Sequence, residues 1–117
     1  ISNAKMGVNL SRGNPIKYYS SDRITQLIGN GLLTFIHKDT MYNNFFSNKE
    51  VIFYSSLLDL SEKIQKYARN DFDRKKIAKK GKAKYMKYFN STVVADYIIN
   101  NTFNFKHDKN KFMWTNK

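Results

Sequence analysis

The segment that most narrows what this chain can become is Leu32-Leu33-Thr34-Phe35-Ile36, an apolar run broken only by Thr34. A strand with one face in water alternates apolar and polar residues. This run does not alternate, so it reads as a strand buried on both faces, the kind that parallel sheets place between helices. What precedes it agrees. Ser20 or Ser21 is a helix N-cap, and Asp22 stands in the first turn, where the helix dipole favours an anion. Ile24, Leu27 and Ile28 then fall on one helical face. Gly29-Asn30-Gly31, residue types that tolerate positive φ, end the helix and lead into the strand.

The same reasoning extends along the chain. Met6 to Leu10 reads as a short strand followed by the turn-rich Ser11-Arg12-Gly13-Asn14-Pro15, and Val51-Ile52-Phe53-Tyr54 as another buried strand. His37 to Glu50 is a polar and aromatic loop with a helical turn near Tyr42 to Phe46. Ser56-Leu57-Leu58-Asp59 is a variant capping box that opens a helix with Leu57, Leu60, Ile64 and Tyr67 on its apolar face. Asn70 or Asp71 caps the next helix. It carries Ile77, Ala78, Gly81, Tyr85, Tyr88 and Phe89 on one face and Lys76, Lys80, Lys84 and Lys87 on the other. Asn90 or Ser91 caps a last helix with Val93, Val94, Tyr97 and Ile98, and from Asn104 the chain is a basic polar tail with isolated Phe105, Phe112, Met113 and Trp114.

The order strand, helix, strand, strand, helix, helix, helix predicts an α/β domain with a small parallel sheet flanked by helices. Doubly wound sheets usually carry five or six strands. Only about three are found here, so the sheet reads as part of a larger Rossmann-like fold.

Composition removes several classes of function. With no cysteine there is neither a disulfide framework nor a thiolate metal site, which fits a reducing, cytoplasmic setting. The apolar runs fall far short of the roughly 20 residues a bilayer span needs. The net charge of +12 asks for an anionic partner, although a chain rich in Lys, Asn, Ile and Tyr, with four Arg among 21 basic residues, is also what an AT-rich genome writes. No Gly-x-Gly-x-x-Gly or Walker loop occurs, and the two histidines, His37 and His107, stand far apart. His37-Lys38-Asp39 reads as a surface turn.

Ligands of open α/β sheets bind beyond the carboxyl ends of the strands, beside helix N-termini. The junction from Leu10 into the Ser20 helix has that character. Backbone N–H groups at Ser21, Asp22 and Arg23 would face an anion, with Arg23 as a charged clamp. The competing reading is a solvated arginine paired with Asp22. The lysine-bearing helix reads as a solvated face, then as a contact to an anionic membrane surface, and last as a nucleic-acid site, because no Arg or aromatic residue interleaves with its lysines.

Three blocks then carry a resemblance: Ser21-Asp22-Arg23-Ile24-Thr25-Gln26-Leu27-Ile28-Gly29-Asn30-Gly31; Asn48 to Tyr54 with Asp59-Leu60 and Lys63-Ile64; and Asp73-Arg74-Lys75-Lys76-Ile77-Ala78-Lys79-Lys80-Gly81. In order and spacing they resemble the C-terminal, donor-binding part of GT-B glycosyltransferases of the "glycosyl transferases group 1" type, near the spore-maturation-like and polysaccharide-assembly subgroup. The strand Ala4 to Ser11 is similar to the one that precedes the donor site there.

The resemblance implies a nucleotide-sugar donor held as substrate, with no cofactor and no metal. Its diphosphate would lie at Ser20, Ser21, Asp22 and Arg23, and its ribose at Gln26, where related enzymes carry Glu. Tyr18 stands where some relatives have a second acidic residue, so a carboxylate contact to the sugar is missing there. It also implies residues 1–103 as a nucleotide-sugar-binding subdomain and 104–117 as a tail. The missing N-terminal domain, or another chain, would supply the acceptor site and catalytic base. The expected location is cytoplasmic, peripheral to the inner face of a membrane where the charge is used. The alternatives are a non-enzymatic basic α/β module for nucleic acid or an anionic surface, and an interaction domain whose unfinished sheet edge pairs with a partner.

Overall fold

Three short parallel strands, β1 (Met6–Asn9), β2 (Leu33–His37) and β3 (Ile52–Tyr54), form a sheet in that order. Gly7 pairs with Thr34 and Asn9 with Ile36 on one side of β2, and Phe35 with Ile52 and His37 with Tyr54 on the other. A computed structural model describes residues 3–11, 13–19, 21–106 and 111–116. The helices are α1 (Asp22–Gly29), α2 (Leu57–Arg69), α3 (Asp71–Tyr88) and α4 (Ser91–Thr102). The predicted small parallel sheet flanked by helices is what forms.

Strand alternation divides the core into two layers. Leu33, Phe35, Ile52 and Tyr54 pack with Leu60 and Ala78, with Met6, Val8, Ile64 and Tyr67 at the edge. On the other face Ile36 joins Ile24 and Ile28 of α1, together with Tyr42, Phe45, Phe46 and Val51. Val51, Leu33, Phe35 and Ile36 are wholly buried, so the unbroken apolar run does mark a strand covered on both sides.

The helix ends follow the sequence closely. Ser56 Oγ accepts the Asp59 N–H, Asn70 Oδ1 the Asp73 N–H, and Asn90 Oδ1 the Val93 N–H. α1 closes in a Schellman turn, with Leu32 N–H donating to the Leu27 carbonyl and Gly31 N–H to that of Ile28. Gly31 takes φ +77° there, whereas Gly29 is still helical.

α3 crosses the amino edge of the sheet, and this sets where a ligand site can lie. Lys5, which leads into β1, and Gly31, which leads into β2, share a groove with Arg74, Lys79 and Lys82. A Cβ built on Gly81 would stand 2.2 Å from the carbonyl oxygen of Glu50, just before β3. Side chains above or below these positions depart from the predicted faces in places. Leu57 is 80% exposed, because α2 begins beyond the sheet edge, and Arg74 is buried at 3% exposure. Lys84 is drawn inward to Glu50 at 3.6 Å. α4 buries no residue. Phe112 is fully buried, and Trp114 packs against Phe89 at 5.5 Å, so these two residues of the expected tail belong to the core.

Candidate functional site

All three strands end at the same edge, opposite α3. There β1 runs on into Leu10 and Ser11, β2 into a 3-10 turn at Lys38–Thr40, and β3 into Ser55 and the start of α2. Between them lies a crevice of about 260 Å³, lined by Leu10, Ser11, Pro15, His37, Tyr54 and Ser56 among others. α1 begins beside it, because its residue Arg23 donates from Nη1 to the carbonyl of Leu10.

Arg23 is therefore fastened, and not to Asp22. No ion pair joins those two among the described residues. One of its five N–H donors ties the end of β1 to the first turn of α1. Ser21 occupies the N-cap in extended conformation, φ −105° and ψ 167°, although its side chain does not cap the turn. Asp22 is exposed in the first turn, where the N–H groups of any helix start lack intrahelical acceptors. Gln26 is exposed one turn further along. Ser20 lies outside the described residues. The structure thus gathers Ser21, Asp22 and Arg23 at the carboxyl edge and sets Gln26 a turn below them on the same helix.

Tyr18 adopts φ +56° and donates its backbone N–H to the Thr40 carbonyl at 2.8 Å. Its hydroxyl accepts from Asn44 Nδ2 at 2.6 Å, and its ring leans on Phe45 at 5.3 Å. It holds the loop after β2 rather than the crevice.

Two groups at this edge escaped the sequence reading. Asn9, the last residue of β1, is 4% exposed, and its Oδ1 has no hydrogen-bond partner among the described residues. Alternation puts it on the same face as Gly7, over which α1 packs so closely that a Cβ there would meet Leu27 at 2.3 Å. An orphaned buried carbonyl oxygen is costly unless something donates to it. The second group is His37, which is more than a surface turn. Its ring meets Tyr54 edge-on at 5.1 Å, and Nδ1 accepts the Asp39 N–H at 3.2 Å. In the neutral ring that bond leaves the proton on Nε2. Burial pushes the Tyr54 phenol up, so it stays a neutral hydrogen-bond donor at ordinary pH. Neither residue carries a motif; only the parallel register brings His37 and Tyr54 side by side.

Among the described residues the crevice lining holds hydroxyls and an imidazole but no carboxylate, with that of Asp39 3.8 Å from His37 Nδ1. With Arg23 and a helix N-terminus alongside, it suits a polar anionic ligand. No group of three or more metal-ligating side chains occurs among the described residues. No helix there is long and apolar enough to cross a membrane. Another cavity, of about 320 Å³, lies among Tyr18, Phe45, Tyr85, Phe89 and Trp114; its walls are aromatic and it carries no charge.

The blocks beyond α1 that carry the resemblance serve the frame. Lys63 Nζ donates to the Phe53 carbonyl at 2.7 Å and pairs with Asp59 at 2.8 Å, bracing β3 against α2. Arg74 pairs with Asp71 at 2.5 Å and, with Ala78 and Gly81, faces the sheet.

A family model described as glycosyl transferase-like matches residues 1–100. Comparison with curated proteins and with solved structures found no match. By its sequence over those residues, and with a three-stranded parallel sheet of the Rossmann kind, the chain belongs to the glycosyl transferase-like family.

Proposed function

We propose that this chain is the donor-binding part of a GT-B glycosyltransferase, gripping a nucleotide-sugar that is passed to a glycan, lipid or protein acceptor. The observation that carries the reading is the Arg23 to Leu10 bond, which holds a guanidinium and a helix N-terminus together at the carboxyl edge of the sheet. In this reading the N–H groups of Ser21, Asp22 and Arg23 take the diphosphate, joined by Ser20, and the free edge of the Arg23 guanidinium neutralises it. Gln26 hydrogen-bonds the ribose hydroxyls through its amide, more weakly than a carboxylate would. The Asn9 Oδ1 accepts from a hydroxyl or amino group of the donor.

During transfer, the bond from the sugar's anomeric carbon to the diphosphate breaks, and one to the acceptor oxygen forms. The leaving diphosphate gains negative charge, which the helix N-terminus and Arg23 stabilise without a metal. The base that takes the acceptor's proton belongs to a further domain or another chain, so residues 1–117 alone bind the donor but do not turn it over.

A calorimetric screen of UDP-, GDP- and ADP-sugars tests this. One of them is expected to bind, and Arg23→Ala to weaken it about tenfold or more, since hydrogen bonds to charged groups contribute about 1.5–3 kcal/mol. Binding indifferent to Arg23→Ala would remove the clamp. Binding of nucleic acid in place of every nucleotide-sugar would favour a basic module without enzymatic function.

A further inference from the structure

The amino edge of the sheet has a chemistry of its own. From Arg74 to Tyr88, α3 carries eight basic residues and no acidic one. On one flank Lys5, Lys75, Lys79 and Lys82 line a groove of about 330 Å³, which also includes Arg74. On the other flank Lys49, Lys76 and Lys80 line a second hollow of about 230 Å³ around a single carboxylate, Asp73. Asp71 pairs with Arg74 and Lys75. Lys5, Lys49, Lys76, Lys79, Lys80 and Lys82 have no carboxylate within ion-pair distance among the described residues, and all six are exposed. The first turn of α3 also presents Phe72 at 74% exposure, with the Lys76 ammonium 5.8 Å from its ring centre.

We infer that this ridge is a docking surface for an anionic lipid bilayer. Six lysines on one edge form a diffuse positive field that complements a layer of anionic headgroups. Phe72 supplies an apolar side chain beside them that can enter the headgroup region. The make-up of the ridge disfavours nucleic acid. Its one guanidinium, Arg74, is buried and held by Asp71, so it is not free to grip phosphates or base edges in two-pronged fashion. A single exposed aromatic ring is no platform for successive bases. α3 lies across the amino edge and the crevice at the carboxyl edge, so a chain docked on this ridge turns its crevice away from the bilayer. The inference is independent of what the crevice binds.

The test uses the whole chain with vesicles of phosphatidylcholine alone and with about one third phosphatidylglycerol, at low and high salt. Binding is expected only to the anionic vesicles and is expected to fade with salt. Lysines near an anionic surface contribute about fivefold each in partition. Lys79→Glu with Lys80→Glu should therefore weaken binding by about 25-fold or more. Lys17→Glu with Lys38→Glu, the same charge change away from the ridge, should weaken it several-fold less. Circular dichroism checks that both pairs fold, and Lys79→Gln with Lys80→Gln repeats the test without charge reversal. In Phe72→Trp, the added emission should shift to the blue on anionic vesicles. Equal losses for the two charge-matched pairs, no preference for anionic lipid, or tighter binding of single-stranded or duplex oligonucleotides at the same salt would each overturn the inference.

Discussion

Glu50 is a small knot that the fold depends on. Its carboxylate accepts from the Ser47 N–H and hydroxyl, both at 2.6 Å, while its own backbone carbonyl faces Gly81. Burial pushes its pKa up, but the Ser47 hydrogen bonds and the Lys84 ammonium outweigh that and hold the group below its ordinary value of 4.5. A carboxylate with a depressed folded pKa stabilises the fold above the unfolded value, and that stability is lost as pH falls through the folded value. The urea midpoint should therefore show wild type ahead of Glu50→Gln at neutral pH, with the gap closing below about pH 4.5. A gap that stayed constant down to pH 3 would contradict this. Glu50 illustrates what single residues conceal. Its letter sits inside a recognisable block, yet its partners, Ser47 and Lys84, are set by the turn before β3 and by the path of α3. Asn9 conceals more, since burial of an amide at a strand end leaves no trace in spacing. Arg23 was legible in residue type and position, but its tie to Leu10 needed β1 and α1 placed side by side.

The helices and strands were far more legible, because period and capping are local. An unbroken apolar run marked β2, and Ser56, Asn70 and Asn90 marked three helix starts with their own side chains. Faces were less secure. α3 touches the sheet, α1 and α2 at once, so no single stripe describes it, and Arg74 shares its buried side. Leu57 looked like core by spacing but lies past the end of what α2 can cover. The close approach of α3 at Gly81 belongs to this scale. Gly81→Ala gains about 1 kcal/mol of helix propensity, but overpacking against backbone costs about 1–3 kcal/mol. With the added Cβ only 2.2 Å from a backbone oxygen, the cost lies toward the upper end. The net effect should be a destabilisation of about 1–2 kcal/mol and several degrees in Tm. Gly29→Ala, with nothing within 4 Å of the added Cβ, should be neutral or slightly stabilising. A Gly81→Ala protein as stable as wild type would mean that α3 does not sit against the Glu50 carbonyl.

At the scale of the whole molecule, the sheet has two chemically different ends. The amino end is crossed by a lysine-rich helix, and the carboxyl end holds a helix start, a tied arginine, a buried amide and an imidazole beside a phenol. The sequence could show that the chain is basic, but not that its lysines and its crevice lie at opposite edges, which follows from the path of α3. That separation lets one direct measurement test whether the donor is held at the carboxyl edge. Amide chemical shifts of the chain should be followed during titration with whichever nucleotide-sugar binds. Changes are expected at Asn9 to Ser11, at Ser21 to Arg23, at His37 and at Ser55 to Leu57, with Lys76 to Lys82 unmoved. Changes confined to α3 or to the aromatic cavity around Phe45 and Phe89, with the carboxyl edge silent, would contradict it.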